Sequence, residues 1–335
     1  MKKLLLMNLF LGFLCISVAV AQGGDDIKLS AVRAGQIGAP LGKIAFVREG
    51  DVWVMDWDGK NQFKVVAAQK ADGRLSWAPD NKRIAFVRKG KVNLQGPDNL
   101  GGQHSVYDLF IGFLDSAKSN TNWWFRLTDD LGSRHPEWSA DGSRIVFTKD
   151  INANTINALL PEYQTCSIDT TGKAFQNLTG GWKTSNRWIS MPSLGPNGYQ
   201  VFVLFKDKNA SGVVIAPPDL KGLSDDEIAQ KAKYLSGATA PAWSPDGKWI
   251  AFVQSEISKQ GIYITKPDLS EKFLVYKPGP GLTLQTYPLS WSPDSKWITF
   301  GAGDGSIWIV DVTGNGLKQI VQPGLNIAPA WSKKK

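Results

Sequence analysis

One pattern of apolar and polar positions recurs along this chain. Its clearest copy is Pro241-Ala242-Trp243-Ser244-Pro245-Asp246-Gly247-Lys248-Trp249-Ile250-Ala251-Phe252. Leu289-Ser290-Trp291-Ser292-Pro293-Asp294-Ser295-Lys296-Trp297-Ile298-Thr299-Phe300 repeats it, as do Leu75 to Phe86 and Pro136 to Phe147. In these four copies the Phe follows the first Trp by nine positions. A degenerate copy, Leu194-Gly195-Pro196-Asn197-Gly198-Tyr199-Gln200-Val201-Phe202-Val203, keeps the turn and replaces the Trp with Leu194. With Trp331 included, the starts at 77, 138, 194, 243, 291 and 331 are spaced by 40 to 61 residues. Self-similarity at such a period signals a repeat architecture.

Each unit reads as a β-hairpin. A short apolar run ends in Trp, a Ser-Pro-Asp-Gly turn reverses the chain, and a second apolar run follows. Third strands are expected at Gly261-Ile262-Tyr263-Ile264 and at Ser306-Ile307-Trp308-Ile309-Val310-Asp311. Fourth strands are expected at Lys272 to Val275, Leu317 to Val321 and Trp124 to Thr128. Four antiparallel strands at this spacing describe propeller blades.

The two ends of the array complement each other. Lys43-Ile44-Ala45-Phe46-Val47, Asp51 to Asp56 and Phe63 to Val66 supply second, third and fourth strands with no first strand ahead of them. Ala328-Pro329-Ala330-Trp331-Ser332 supplies a first strand and nothing after it. The sequence therefore predicts an all-β fold: a six-bladed β-propeller of four-stranded antiparallel blades, closed by a composite blade from the N- and C-terminal strands. Closure removes the exposed sheet edges that promote aggregation.

These residues resemble the WD-like propeller repeats of TolB-type exported proteins, whose blades carry a similar Pro-x-Trp-Ser-Pro-Asp-Gly-Lys-x-Ile-Ala-Phe motif. The resemblance runs from about residue 40 to 332. It implies an exported propeller with a protein partner in the cell envelope. TolB itself places a sizeable α/β domain before its propeller. Here about 20 residues separate the expected cleavage site from the first blade, so contacts made through that domain are not carried over.

The first residues add an address. Basic Met1 to Lys3, the nearly apolar Leu4 to Val20 and the small residues of Ala19-Val20-Ala21 form a secretory signal pattern, cleaved after Ala21. The 17-residue apolar run, interrupted by Asn8 and Gly12, is short for a span of about 30 Å. Cys15 lacks the small residue that a lipobox requires immediately before its cysteine. The expected organisation is residues 1–21 signal peptide, 22–39 linker, 40–332 TolB-like propeller and 333–335 basic tail. Cys166 is then the one cysteine of the mature chain, set in a strand-like stretch where a buried, inert thiol is expected.

Charge changes the picture less than its total suggests. Lys2, Lys3 and Lys333 to Lys335 sit at the ends, and removing those five from the 38 basic residues leaves 33 against 30 acidic ones. A body so balanced, with no basic stripe, argues against nucleic acid as a partner.

Catalytic chemistry is sparsely represented. There is no Gly-x-Ser-x-Gly elbow, and the two histidines, His104 and His135, read as loop or solvated residues. Neither a His-Glu-x-x-His nor a paired-cysteine motif exists for zinc. Asp56-Trp57-Asp58-Gly59 and Asp129-Asp130 read as turns. Asp225-Asp226-Glu227 reads as a helix start, capped by Ser224 with Glu227 completing a capping box. No catalytic, cofactor-binding or metal-binding residue is assigned, and no cofactor is expected. Lys89 to Tyr107 and Lys149 to Glu162 read as long loops. Trp123, Trp124, Trp182 and Trp188 lie off the repeated Trp position and read as core or as rim aromatics.

The reading that follows is a monomeric, exported, non-catalytic propeller acting as a protein-interaction or scaffold module in the periplasm or cell envelope, with no stable membrane insertion after signal cleavage. The alternatives are a lyase or hydrolase working on envelope polysaccharide, or a small-ligand or peptide sensor using the propeller channel.

Overall fold

The computed structural model describes residues 37–94, 102–117, 123–153, 162–179, 188–205, 211–218, 227, 230–256 and 259–334. The signal pattern, Trp182 and the Ser224 capping box lie outside them. Six four-stranded antiparallel sheets form the six blades of a propeller. From the channel outward, blade 1 runs Asn326–Trp331, Lys43–Arg48, Asp51–Asp56 and Phe63–Val66. Blades 2 to 6 follow in chain order. Their inner strands are Ala71–Trp77, Ser133–Trp138, Trp188–Leu194, Ala238–Trp243 and Ser290–Trp291.

The composite blade forms as the sequence requires. Ile44 pairs with Trp331 and Ala45 with Ala330. Lys43 and Ser332 exchange bonds, the Lys43 amide donating to Ser332 Oγ at 3.0 Å and the Ser332 amide to the Lys43 carbonyl at 2.8 Å.

Second strands such as Ile250–Gln254 are buried at every position because both faces of a blade pack on neighbouring blades. The hydrophobic clusters accordingly straddle blades. Val54 and Val65 of blade 1 meet Trp77, Ile84 and Phe86 of blade 2 in one of them.

The turn motif has defined hydrogen-bonding tasks. In blade 5, Ser244 Oγ accepts the Trp249 amide at 2.9 Å and donates to Asp246 Oδ1 at 2.6 Å. Asp246 also accepts the Lys248 amide, and Gly247 takes φ +72°, where a side chain is strained. Blade 6 repeats the arrangement at Ser292, Asp294 and Trp297.

A ring of hydrogen bonds joins the blades at the residue preceding each repeated Trp. Where that residue is Ser, its hydroxyl accepts the next blade's backbone amide: Ser76 from Trp138, Ser193 from Trp243, Ser290 from Trp331, at 2.8–3.0 Å. Where it is Ala, its carbonyl instead accepts the next blade's indole N–H: Ala330 from Trp77 and Ala242 from Trp291, both at 3.0 Å. Glu137 closes the remaining gap by accepting the Leu194 amide at 3.3 Å. All six junctions are thereby linked. The degenerate fourth blade keeps Gly195 because a Cβ there would stand 2.6 Å from the Trp243 ring.

One expected loop is mostly sheet. Lys89 to Tyr107 continues the second and third strands of blade 2, Arg83–Leu94 and Gly102–Phe113, as one ladder from Lys89 opposite Tyr107 to Leu94 opposite Gly102. Recurrent β-formers (Val92, Leu94, Val106, Tyr107) support the extension despite the Gly- and Asn-rich tip.

Candidate functional site at the channel mouth

The inner strands begin at one end of the channel and finish at the repeated Trp at the other. In antiparallel blades, the connections between second and third strands and those between blades all fall at the first end. That end carries the protruding blade 2 hairpin and the long connection 277–289. The opposite end carries the turns of the Ser-Pro-Asp-Gly type and the third-to-fourth-strand connections, among them 114–123 and 217–232.

Each inner strand of blades 1 to 5 is broken by a bulge. His135, Met191, Ala240 and Ala328 occupy the same position in their strands, three residues before the repeated Trp or Leu194, each with φ between 50° and 56°. In blade 2 Gly73 takes φ +74° within a longer bulge. Bulges re-aim side chains, and Asp72 and Arg134 each stand next to one, beside Gly73 and His135.

The result is a cavity of about 160 Å³ lined by Asp72, Gly73, Val87, Tyr107, Arg134, His135 and Tyr287. The Arg134 guanidinium stacks 3.9 Å from the centre of the Tyr107 ring and 5.5 Å from that of Tyr163. Its Nε is buried and has no hydrogen-bond partner. Tyr287 Oη donates to Asp72 Oδ1 at 3.2 Å. Burial first, and then the Asp72 carboxylate, holds the Tyr287 phenol protonated well above the ordinary tyrosine range.

His135 requires a correction. It stands in the inner strand of blade 3, half-buried in the channel wall, not in a solvated loop. Its Nδ1 lies 3.2 Å from Ser190 Oγ. Burial, followed by the charges of Arg134 and Arg74, pushes its pKa down to about 3, so the imidazole is neutral at physiological pH. His104 falls on the third strand of blade 2, in the ladder opposite Val92.

Deeper in the channel, charges are matched. Arg74 forms an ion pair with Glu137 and donates to the Pro192 carbonyl. Glu137 Oε1 also accepts from Ser193 Oγ at 3.3 Å. Lys333 lines the same region with its side chain exposed.

The remaining sequence candidates resolve as structural parts. Asp56 accepts from Lys43 and Asn61, and Gly59 closes its turn at φ +88°. Asp130 caps Gly132 and Ser133 and pairs with Lys149. Trp124 packs on Phe86 and Phe110, whereas Trp123 is 66% exposed. Cys166 is fully buried, and burial pushes its thiol up to about 12. Among the described residues no cluster of His, Cys, Asp and Glu is placed to hold a metal ion. No helix among them is long and apolar enough to cross a membrane.

These features define a six-bladed β-propeller whose mouth carries a charged, tyrosine-lined cavity. The fold is of the TolB-like kind. TolB from Acinetobacter baumannii superposes with a TM-score of 0.63 at 18% identity, over 87% of this chain and 66% of that one. This chain thus spans just under two thirds of that TolB. A nidogen/laminin complex matches with a TM-score of 0.59 at 10% identity, over 88% of this chain and 99% of that one. The tricorn protease matches with a TM-score of 0.58 at 16% identity, over 86% of this chain and 26% of that one. No family model and no curated protein matches the sequence.

Proposed function

We propose that this protein is an exported, non-catalytic interaction module that holds a protein partner of the cell envelope on the face around the channel mouth. The observation that carries this reading is the blade 2 hairpin, whose 12-residue strands extend beside the mouth cavity. Variable connections on a rigid scaffold are where propellers and other repeat folds carry recognition. Export is supported by the signal pattern of residues 1–21. The TolB-like fold and the likeness to a nidogen/laminin complex agree with a binding role. The channel carboxylates favour binding over acid–base chemistry, since Tyr287 engages Asp72 and Arg74 engages Glu137.

The test is affinity purification of the tagged protein from its native envelope, beside a variant in which residues 91–105 are replaced by a two-residue turn. The expected result is a partner retained by the parent and lost by the variant at unchanged melting temperature. Equal retention by both, or no partner above background, overturns the reading.

A further inference from the structure

Two opposite charges face the mouth cavity without meeting each other. Asp72 and Arg134 both line it, and among the described residues neither takes part in an ion pair. A charge withdrawn from water is costly unless it is paired or hydrogen-bonded, and the channel obeys that rule one layer deeper at Arg74 and Glu137. At the mouth neither charge meets an ionic partner among the described residues: Asp72 accepts the Tyr287 hydroxyl, and Arg134 rests on tyrosine rings.

The arrangement is held open by its surroundings. The rings of Tyr107 and Tyr163 hold the guanidinium by cation–π contact, which uses none of its N–H donors. Asp150 lies within electrostatic range of Arg134, but its Oδ1 is occupied by the amides of Asn152 and Glu162, and burial raises its pKa. On the opposite wall Tyr287 engages one oxygen of Asp72. Lys70 and Lys89 share a neighbouring groove with Asp72, yet both are exposed and make no ion pair with it.

The two signs decide the class of occupant. A simple anion drawn to Arg134 would be repelled by Asp72, and a simple cation drawn to Asp72 would be repelled by Arg134. A multiply charged anion is further disfavoured because the adjacent imidazole is neutral. We propose that the channel mouth binds a small zwitterion of the free α-amino acid class, its carboxylate on Arg134 and its ammonium on Asp72. Such a ligand supplies both missing partners at once, with charge-assisted hydrogen bonds. The tyrosines that line the cavity offer stacking surface to its side chain. This proposal goes beyond the partner reading and stands on different residues.

The test is a thermal-shift and calorimetric screen of the purified protein against each proteinogenic L-amino acid at millimolar concentration. It continues with the N-acetyl and amide derivatives of the best binder. The expected result is that at least one free amino acid raises the melting temperature, while acetylation and amidation each weaken binding by about tenfold or more. Asp72→Asn and Arg134→Met should abolish the response. Should the arginine variant fail to fold, the isosteric Asp72→Asn variant and the blocked derivatives still decide the matter. Absence of any shift, or blocked forms that bind as tightly as the parent, overturns the proposal. Retention of an envelope partner without amino-acid binding overturns it while leaving the partner reading intact. Amino-acid binding without a partner supports it and overturns the other.

Discussion

His135 couples the channel to pH. An unfolded imidazole titrates near about 6.5, whereas in the channel wall the ring's pKa is pushed down to about 3 by burial and by Arg134 and Arg74. Between those values the unfolded chain binds a proton that the folded chain refuses. Stability therefore falls as pH drops through this window and levels off below it. The effect is on the order of a few kcal/mol at most, reduced by the ring's partial contact with channel water. His135→Gln should flatten this part of the curve in urea unfolding compared at about pH 7 and about pH 4. An unchanged slope would show that the ring titrates normally. At this scale the signal in the sequence is incomplete. His135 was visible as one of only two histidines, but its place in the wall follows from standing three residues before a repeated Trp. Aligning the residues three to five places before each such Trp is the signal that would have brought Arg134 and Asp72 forward as well.

Among the elements, the hairpin turn was the most legible because its geometry is local. Ser, Asp and Gly in Ser-Pro-Asp-Gly each perform a task within a few residues of themselves. Gly247 is constrained twice, since it combines φ +72° with a hypothetical Cβ 2.9 Å from Pro196 Cγ of the neighbouring blade. Gly247→Ala should destabilise the protein by about 1–3 kcal/mol in denaturant titrations, through left-handed backbone strain and that contact. A cost near zero would mean that the turn relaxes to another conformation. The blade 2 hairpin was less legible. Its glycines and asparagines signal a loop, while the ladder up to Leu94 and Gly102 depends on cross-strand pairing that the composition of either strand does not reveal. The inner-strand bulges were not legible either, because alternation in one strand does not reveal how many residues its partner opposes.

For the whole molecule, closure is the decisive event. The inner strand of blade 1 comes from the far end of the chain, and the ring of hydrogen bonds is complete only when Trp331 meets Ser290 and Trp77 meets Ala330. Removing residues 327–335 would expose the edge of Lys43–Arg48 and uncover Trp77. The truncated protein is expected to lose cooperative thermal unfolding or to aggregate. A single sharp transition at the parent's melting temperature, with the protein monomeric, would show that five intact blades suffice.

The sequence by itself determined the number of blades, their four-strand make-up and the composite closure, because these rest on turn chemistry and strand periodicity repeated along the chain. It also identified the five tryptophans Trp77, Trp138, Trp243, Trp291 and Trp331 as markers of one architectural position. Only the tertiary structure decided what the mouth contains. Asp72 and Tyr287 stand 215 positions apart, and Tyr107, Arg134 and Tyr163 come from separate strands. No local pattern joins such residues. Ring closure brings them around one cavity, where Asp72 and Arg134 stand beside the bulged positions Gly73 and His135.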